Sequence, residues 1–247
     1  MLAALKKLFS NARLGASPYA AVSAWAQRRG HVFKRARDAE GFAIDGSLEG
    51  KAWRFEWGPP QRPYIVGNEL RARMELGLPQ DLQMLLLSRP LLEALERETY
   101  ERFTLSNQTE LGDSQPDEVR WLVMFPKIDL SACKGVRTRF GGVSNVEGEG
   151  LEWIRGPLEK ELLHASQNML ASEPPFVMTT LRGRLYLRLQ LATPDADAIA
   201  DALGLLETAA SEAMRVGAKR PPSPADWQPE AASAWQSLDP GRRRNAV

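Results

Sequence analysis

The stretch Arg184-Leu185-Tyr186-Leu187-Arg188-Leu189-Gln190-Leu191 alternates apolar and polar residues without a break. In a strand, successive side chains point to opposite faces, so Leu185, Leu187, Leu189 and Leu191 share a packed face and Tyr186, Arg188 and Gln190 share a wet one. Strands apolar on one side only are typical of antiparallel sheets with one solvated face. The same period recurs in Trp53-Arg54-Phe55-Glu56-Trp57, and again where Leu70, Ala72, Met74 and Leu76 alternate with Arg71, Arg73 and Glu75.

Working outward from these strands, Asp45-Gly46 and Glu49-Gly50 supply turn conformations, which predicts a hairpin over Phe42–Trp57 ended by Gly58-Pro59-Pro60. A further strand is expected between Tyr64 and Leu76, interrupted near Gly67. Alternation of Val136, Thr138 and Phe140 with Arg137 and Arg139 predicts another, followed by a bend at Gly141-Gly142 and strands at Leu151–Ile154 and Phe176–Thr180.

Helical signals lie between and around the strands. Ser17-Pro18 reads as a helix start and Gly30 as a stop, giving a helix over Pro18–Arg29 with Val22, Trp25 and Ala26 buried. Asp81 is expected to cap a helix containing Leu82, Leu85 and Leu86, broken at Ser88-Arg89-Pro90 and restarting through Leu91, Leu92, Leu95 and Tyr100. Pro116-Asp117-Glu118 opens a short helix toward Trp121 and Leu122, with a change to strand by Val123 as the alternative. Pro157 begins a helix to about Leu170, and Thr193-Pro194-Asp195 begins one that ends at Gly217 with Ile199, Leu203, Leu206, Ala210 and Ala213 on one face.

The expected fold is therefore α+β, a largely antiparallel sheet with helices packed on one face. Regions 42–102 and 136–217 each run from sheet-forming into helical sequence, which permits two similar halves. Three segments are expected: a basic helical arm over 1–38, a body over 39–217, and a Pro/Ala-rich irregular tail over 218–247.

Charge divides the same way. Residues 1–38 carry eight Lys/Arg and one Asp, whereas residues 39–217 carry nineteen Lys/Arg against twenty-seven Asp/Glu, so a net charge of +1 hides a basic arm on an acidic body. In the arm, Leu2, Leu5, Leu8, Phe9 and Ala12 fall on one helical arc, with Lys6, Lys7 and Arg13 mostly outside it. Leu2, Leu5, Lys6, Lys7, Leu8, Phe9 and Arg13 form the candidate membrane-surface set, giving weak reversible attachment to an anionic leaflet; the alternative is packing of the arc on the body. The longest strongly apolar run, Met84–Leu87, is far too short to span a bilayer, and the arm lacks the pattern of a secretory signal. The expected location is the cytoplasm, including the inner face of a membrane. One cysteine and two histidines allow no internal disulfide and supply metal chemistry poorly, so no metal or other cofactor is expected.

Phosphate-loop, dinucleotide, nucleophile-elbow and zinc-protease motifs are all absent from the sequence. Cys133, beside Lys134, with His164 brought near by the fold would make a nucleophile, but the ordinary fate of each residue is structural. The outward arginines are more suggestive. Arg54, Arg71, Arg73, Arg137, Arg139 and Arg188 would line one face if their strands share a sheet, either clamping an anion or pairing with Glu56, Glu75 and Glu152 in a salt-bridge lattice. Gln61-Arg62-Pro63-Tyr64 adds a proline-stiffened segment with two residue types enriched at binding hot spots. The candidate binding residues are thus Arg54, Arg62, Tyr64, Arg71, Arg73 and Arg188. The function expected is non-catalytic recognition or scaffolding of a protein partner, with the arm as localiser. The rivals are an enzyme acting on an anionic small molecule, and a nucleic-acid binder, which the acidic body opposes.

Overall fold

The computed structural model describes residues 18–37, 40–105 and 116–220. Eight strands form one sheet: β1 (Val32–Arg35), β2 (Phe42–Leu48), β3 (Lys51–Gly58), β4 (Glu69–Glu75), β5 (Met84–Ser88), β6 (Phe140–Ser144), β7 (Phe176–Leu181) and β8 (Arg184–Gln190). Their spatial order is β1-β2-β3-β4-β8-β7-β5-β6, and every neighbouring pair is antiparallel. The described helices are α1 (Ala20–Arg28), α2 (Arg89–Leu105), α3 (Asp117–Met124), α4 (Glu149–Ile154), α5 (Pro157–Gln167) and α6 (Ala196–Gly217). This is the α+β fold with an antiparallel sheet that the alternating strands imply.

Two tight hairpins close alike. Glu49-Gly50 joins β2 to β3 and Arg182-Gly183 joins β7 to β8, each pair with both φ values positive, the two-residue turn whose twist matches that of the strands. Asp45-Gly46 makes no turn; it lies within β2, and Gly46 faces Trp53, whose ring comes within 2.2 Å of where a Cβ would stand. The glycine makes room for the indole.

The larger core joins the packed face of the sheet, including Phe55, Leu70, Met74, Leu185, Leu187 and Leu189, to α1, α4, α5 and α6. Val22, Trp25 and Ala26 bury α1 as expected. The long helix α6 begins where Asp195 Oδ2 accepts the Ala198 N–H, and its buried stripe includes Ile199, Leu203, Leu206, Ala210 and Ala213. At the β5–β7 end a smaller core lies on the opposite face, where Leu85, Leu87, Val143 and Val177 meet Leu91, Leu92 and Leu95 of α2 and Trp121 of α3. The rest of that face, over β2, β3, β4 and β8, bears the polar side chains.

Three further local expectations are overturned. Residues 84–88 form strand β5 rather than a helix, because Met84 and Leu86 pack into the larger core while Leu85 and Leu87 pack into the smaller one. A strand buried on both faces reads as a continuous apolar run, which periodicity cannot tell from a buried helix. Residues 136–139 lie in turns, and the strand begins at Phe140 and includes Gly141-Gly142 instead of bending there. A Cβ on Gly141 would meet Leu92 Cδ2 at 2.5 Å, so the missing side chain lets α2 close on β6. Residues 151–154 belong to helix α4, held by Trp153, which is fully buried and donates its indole N–H to the Ala209 carbonyl of α6 at 2.9 Å.

Among the described residues, no helix is long and apolar enough to cross a membrane. The arm residues Leu2, Leu5, Lys6, Lys7, Leu8, Phe9 and Arg13, and the tail from 221 onward, lie outside the described residues.

Candidate functional site

Strand register assembles four of the candidate arginines. Arg54 on β3 stands opposite Arg73 on β4, and Arg73 opposite Tyr186 on β8; one step along, Glu56 faces Arg71 and Arg71 faces Arg188. Like charges directly opposite each other are destabilising unless anions intervene. Here they do. Arg54 donates to Asp45 at 2.8 Å and to Glu56 at 2.7 Å, Arg71 lies 3.5 Å from both Glu56 and Glu69, and Arg188 donates to Glu69 at 2.5 Å. Arg184 pairs with Glu75 farther along β8.

Glu69 is the keystone of this lattice. It is fully buried, and its second oxygen also accepts the Gln61 backbone N–H at 2.8 Å. Burial would raise the Asp45 carboxyl, but hydrogen bonds from Lys34 and Arg54 outweigh it and hold the group below its ordinary range. Glu56 behaves likewise: desolvation opposes ionisation, and the hydrogen bond and charge of Arg54 prevail. Arg73 is different. It is exposed and has no hydrogen bond or ion pair among the described residues, while helping to line a depression of about 240 Å³ with Arg54, Arg71, Tyr186 and Arg188.

Arg62 and Tyr64 turn toward α3. The Arg62 Nε–H and the Tyr64 hydroxyl each donate to Glu118 Oε1 at 3.1 Å, and Glu118 is buried with Oε2 lacking a partner among the described residues. Burial, then the neighbouring Glu118 charge, push the Tyr64 phenol far above its ordinary value. This segment therefore clamps α3 to the sheet, with the Arg62 side chain a quarter exposed.

Arg137 and Arg139 leave the sheet-face set because they lie in the turn before β6. Arg139 Nη2 donates to the carbonyls of Ser166, Leu170 and Ala171, closing the end of α5. Glu152, on α4 rather than a strand, pairs with Arg215 and Lys219 instead of the sheet arginines. Asp45, Glu69 and Glu118 are the carboxylates that the sequence reading passed over. Glu69 shared the period of Arg71 and Arg73 and could have been found one step upstream.

Cys133 is buried, and its thiol is pushed up by burial and then by Glu159, the opposite of an activated thiolate. His164 lies on the surface of α5, 3.6 Å from Asp201. Among the described residues, no group of three or more His, Cys, Asp or Glu side chains converges as a metal site. Among the described residues, Arg73 is the lattice arginine left without a paired carboxylate, and a guanidinium in that state has donors to offer an anion. No family model, curated protein or solved structure is significantly similar to this chain.

Proposed function

We propose that this chain is a non-catalytic protein-recognition module whose open sheet face receives an acidic segment of a partner. The observation that carries this reading is Arg73, an exposed guanidinium with no paired carboxylate among the described residues, in a lattice where Arg54, Arg71 and Arg188 are each paired. A paired lattice fixes the geometry of the face, and the surplus cation supplies a contact for a carboxylate side chain. Tyr186 beside it adds an aromatic surface of the type enriched in binding patches. A depression of about 240 Å³ on an otherwise salt-bridged face suits a side chain of a docked chain better than an enclosed substrate. The basic arm places the module at the inner face of an anionic membrane in this reading, with attachment weak enough to need the protein contact as well.

The test is fluorescence anisotropy of the full chain with three labelled probes of matched length: an acidic peptide, its lysine counterpart and a single-stranded oligonucleotide. Preference for the acidic peptide, lost in Arg73→Glu and kept in Arg184→Glu, supports the proposal. Equal binding of both peptides, tighter binding of the oligonucleotide, or an Arg73→Glu variant that binds as before would overturn it.

A further inference from the structure

At the other end of the sheet, a cleft of about 400 Å³ opens at the edge of β6, between the start of α2 and the turns over 127–138. Its apolar wall includes Leu92 and Ile128, and its cations are Arg89, Lys127 and Arg137. Two of these are engaged. Arg89 Nη2 donates to the carbonyls of Arg137 at 2.6 Å and Phe140 at 2.7 Å, which fixes the turn bearing Arg137, and Lys127 pairs with Glu96 at 2.8 Å. The Arg137 side chain is exposed and has no hydrogen bond or ion pair among the described residues.

The backbone adds a donor. Ile128 N–H donates to the Gly142 carbonyl at 2.9 Å and Ser144 N–H to the Pro126 carbonyl at 3.1 Å, so residues 126–128 run along the outer edge of β6. The N–H and C=O of one strand residue point to the same side. The Gly142 N–H therefore also points outward at this edge, opposite Ile128, and it makes no backbone hydrogen bond to residues 126–128. The one carboxylate lining the cleft, Asp129, accepts the Ser131 N–H at 2.9 Å.

We infer that this cleft binds a small organic oxyanion, a carboxylate or phosphate on an apolar body. The charged group sits between Arg137 and the Gly142 N–H, and the body lies against Leu92 and Ile128. Guanidinium with an outward backbone N–H is a donor set matched to oxyanions, and the volume falls within the range of small-ligand sites. The site is independent of the sheet face around Arg73, which lies across β8, β7 and β5 from it.

Amide NMR of the full chain, labelled with ¹⁵N-glycine, reads the site directly. The probes are phenylphosphate, phenylacetate, inorganic phosphate and benzyl alcohol, each raised to about 10 mM, tenfold above the half-saturation point of a 1 mM complex. The Gly142 amide is expected to move with phenylphosphate, phenylacetate or both, more weakly with inorganic phosphate, and not with benzyl alcohol. Arg137→Ala should weaken the response about tenfold or more, while Arg73→Ala leaves it unchanged. Comparing the two aromatic anions separates the phosphate from the carboxylate source. A static Gly142 amide with both aromatic anions, an equal response to benzyl alcohol or to inorganic phosphate, or an Arg137→Ala variant that binds as before would overturn the assignment.

Discussion

Replacing Glu69 by Gln tests the lattice at its buried centre. The substitution keeps the shape of the side chain and removes the charge that pairs with Arg188, whose side chain is only 16% exposed and has no other carboxylate within pairing distance among the described residues. Breaking a buried pair by neutralising one partner costs about 3–5 kcal/mol, because the other charge stays desolvated and unpaired. The partial exposure of Arg188 places Glu69→Gln at the lower end, about 3 kcal/mol. With a urea m-value of about 3 kcal/mol/M, that loss lowers the unfolding midpoint by about 1 M. Glu75→Gln is the internal control: its pair with Arg184 is about half exposed on both sides and should cost less than about 1 kcal/mol. The double variant Glu69→Gln/Arg188→Gln should cost less than the sum of the single changes, since the second relieves the orphan charge left by the first. Urea unfolding followed by tryptophan fluorescence measures all four. A Glu69→Gln midpoint no lower than that of Glu75→Gln would refute the reasoning that burial sets the worth of these pairs.

His31 is held below its ordinary value of 6.5 by burial and then by Arg29, with Nε2 buried against Trp53 and unpartnered among the described residues. The unfolded chain thus takes up the proton first, so the contribution is complete above 6.5 and lost as pH falls through the folded value; urea midpoints should drop on acidification, less steeply in His31→Gln. Tyr64 works at the alkaline end: its raised folded pKa stabilises below 10.0 and ceases to do so as pH climbs beyond it. Phenolate absorbance should show one tyrosine that ionises only with unfolding, and Tyr64→Phe should abolish that step. Gly46→Ala drives a methyl into the Trp53 ring and should cost about 1–3 kcal/mol by thermal unfolding. Gly50→Ala, in open space at φ +77°, should cost about 1–2 kcal/mol through backbone conformation alone and leave the near-ultraviolet tryptophan signal unchanged.

The elements legible in the sequence are those whose two faces meet different surroundings. β3, β4 and β8 each have a packed and a wet side, so Phe55, Leu70 and Leu187 declare the core and Arg54, Arg71 and Arg188 the outer face. For the same reason α6 shows a clear apolar stripe. β5 is wrapped on both sides, and its run of Met84 to Leu87 has no period to read. β6 hides for another reason: Gly141 and Gly142 look like a bend until Leu92 is seen occupying the space that a side chain would take. The arginine face was visible as a periodic set, yet its chemistry depends on Glu69 and Asp45. Those pairings are set by register across neighbouring strands, and the Glu69–Arg188 pair spans residues far apart in the chain. Nothing near Arg62 or Tyr64 in sequence reveals Glu118, which approaches from 54 residues away.

The seam between β4 and β8 has a consequence for synthesis. β1 to β4 can pair in order as they emerge, each strand meeting one made shortly before, but the partner of β4 comes much later; Glu69 and Arg188 are separated by 119 positions. At translation rates of about 5–20 residues per second, the nascent meander waits roughly 6–24 s with one long side of β4 unpaired. During that interval the backbone donors and acceptors of β4 are a template for any strand nearby, and Glu69 has Arg71 of its own strand but lacks the closer guanidinium of Arg188. The charged side chains of Arg71, Arg73 and Glu75 along this temporary border are then guards against wrong pairing before they are parts of a finished surface.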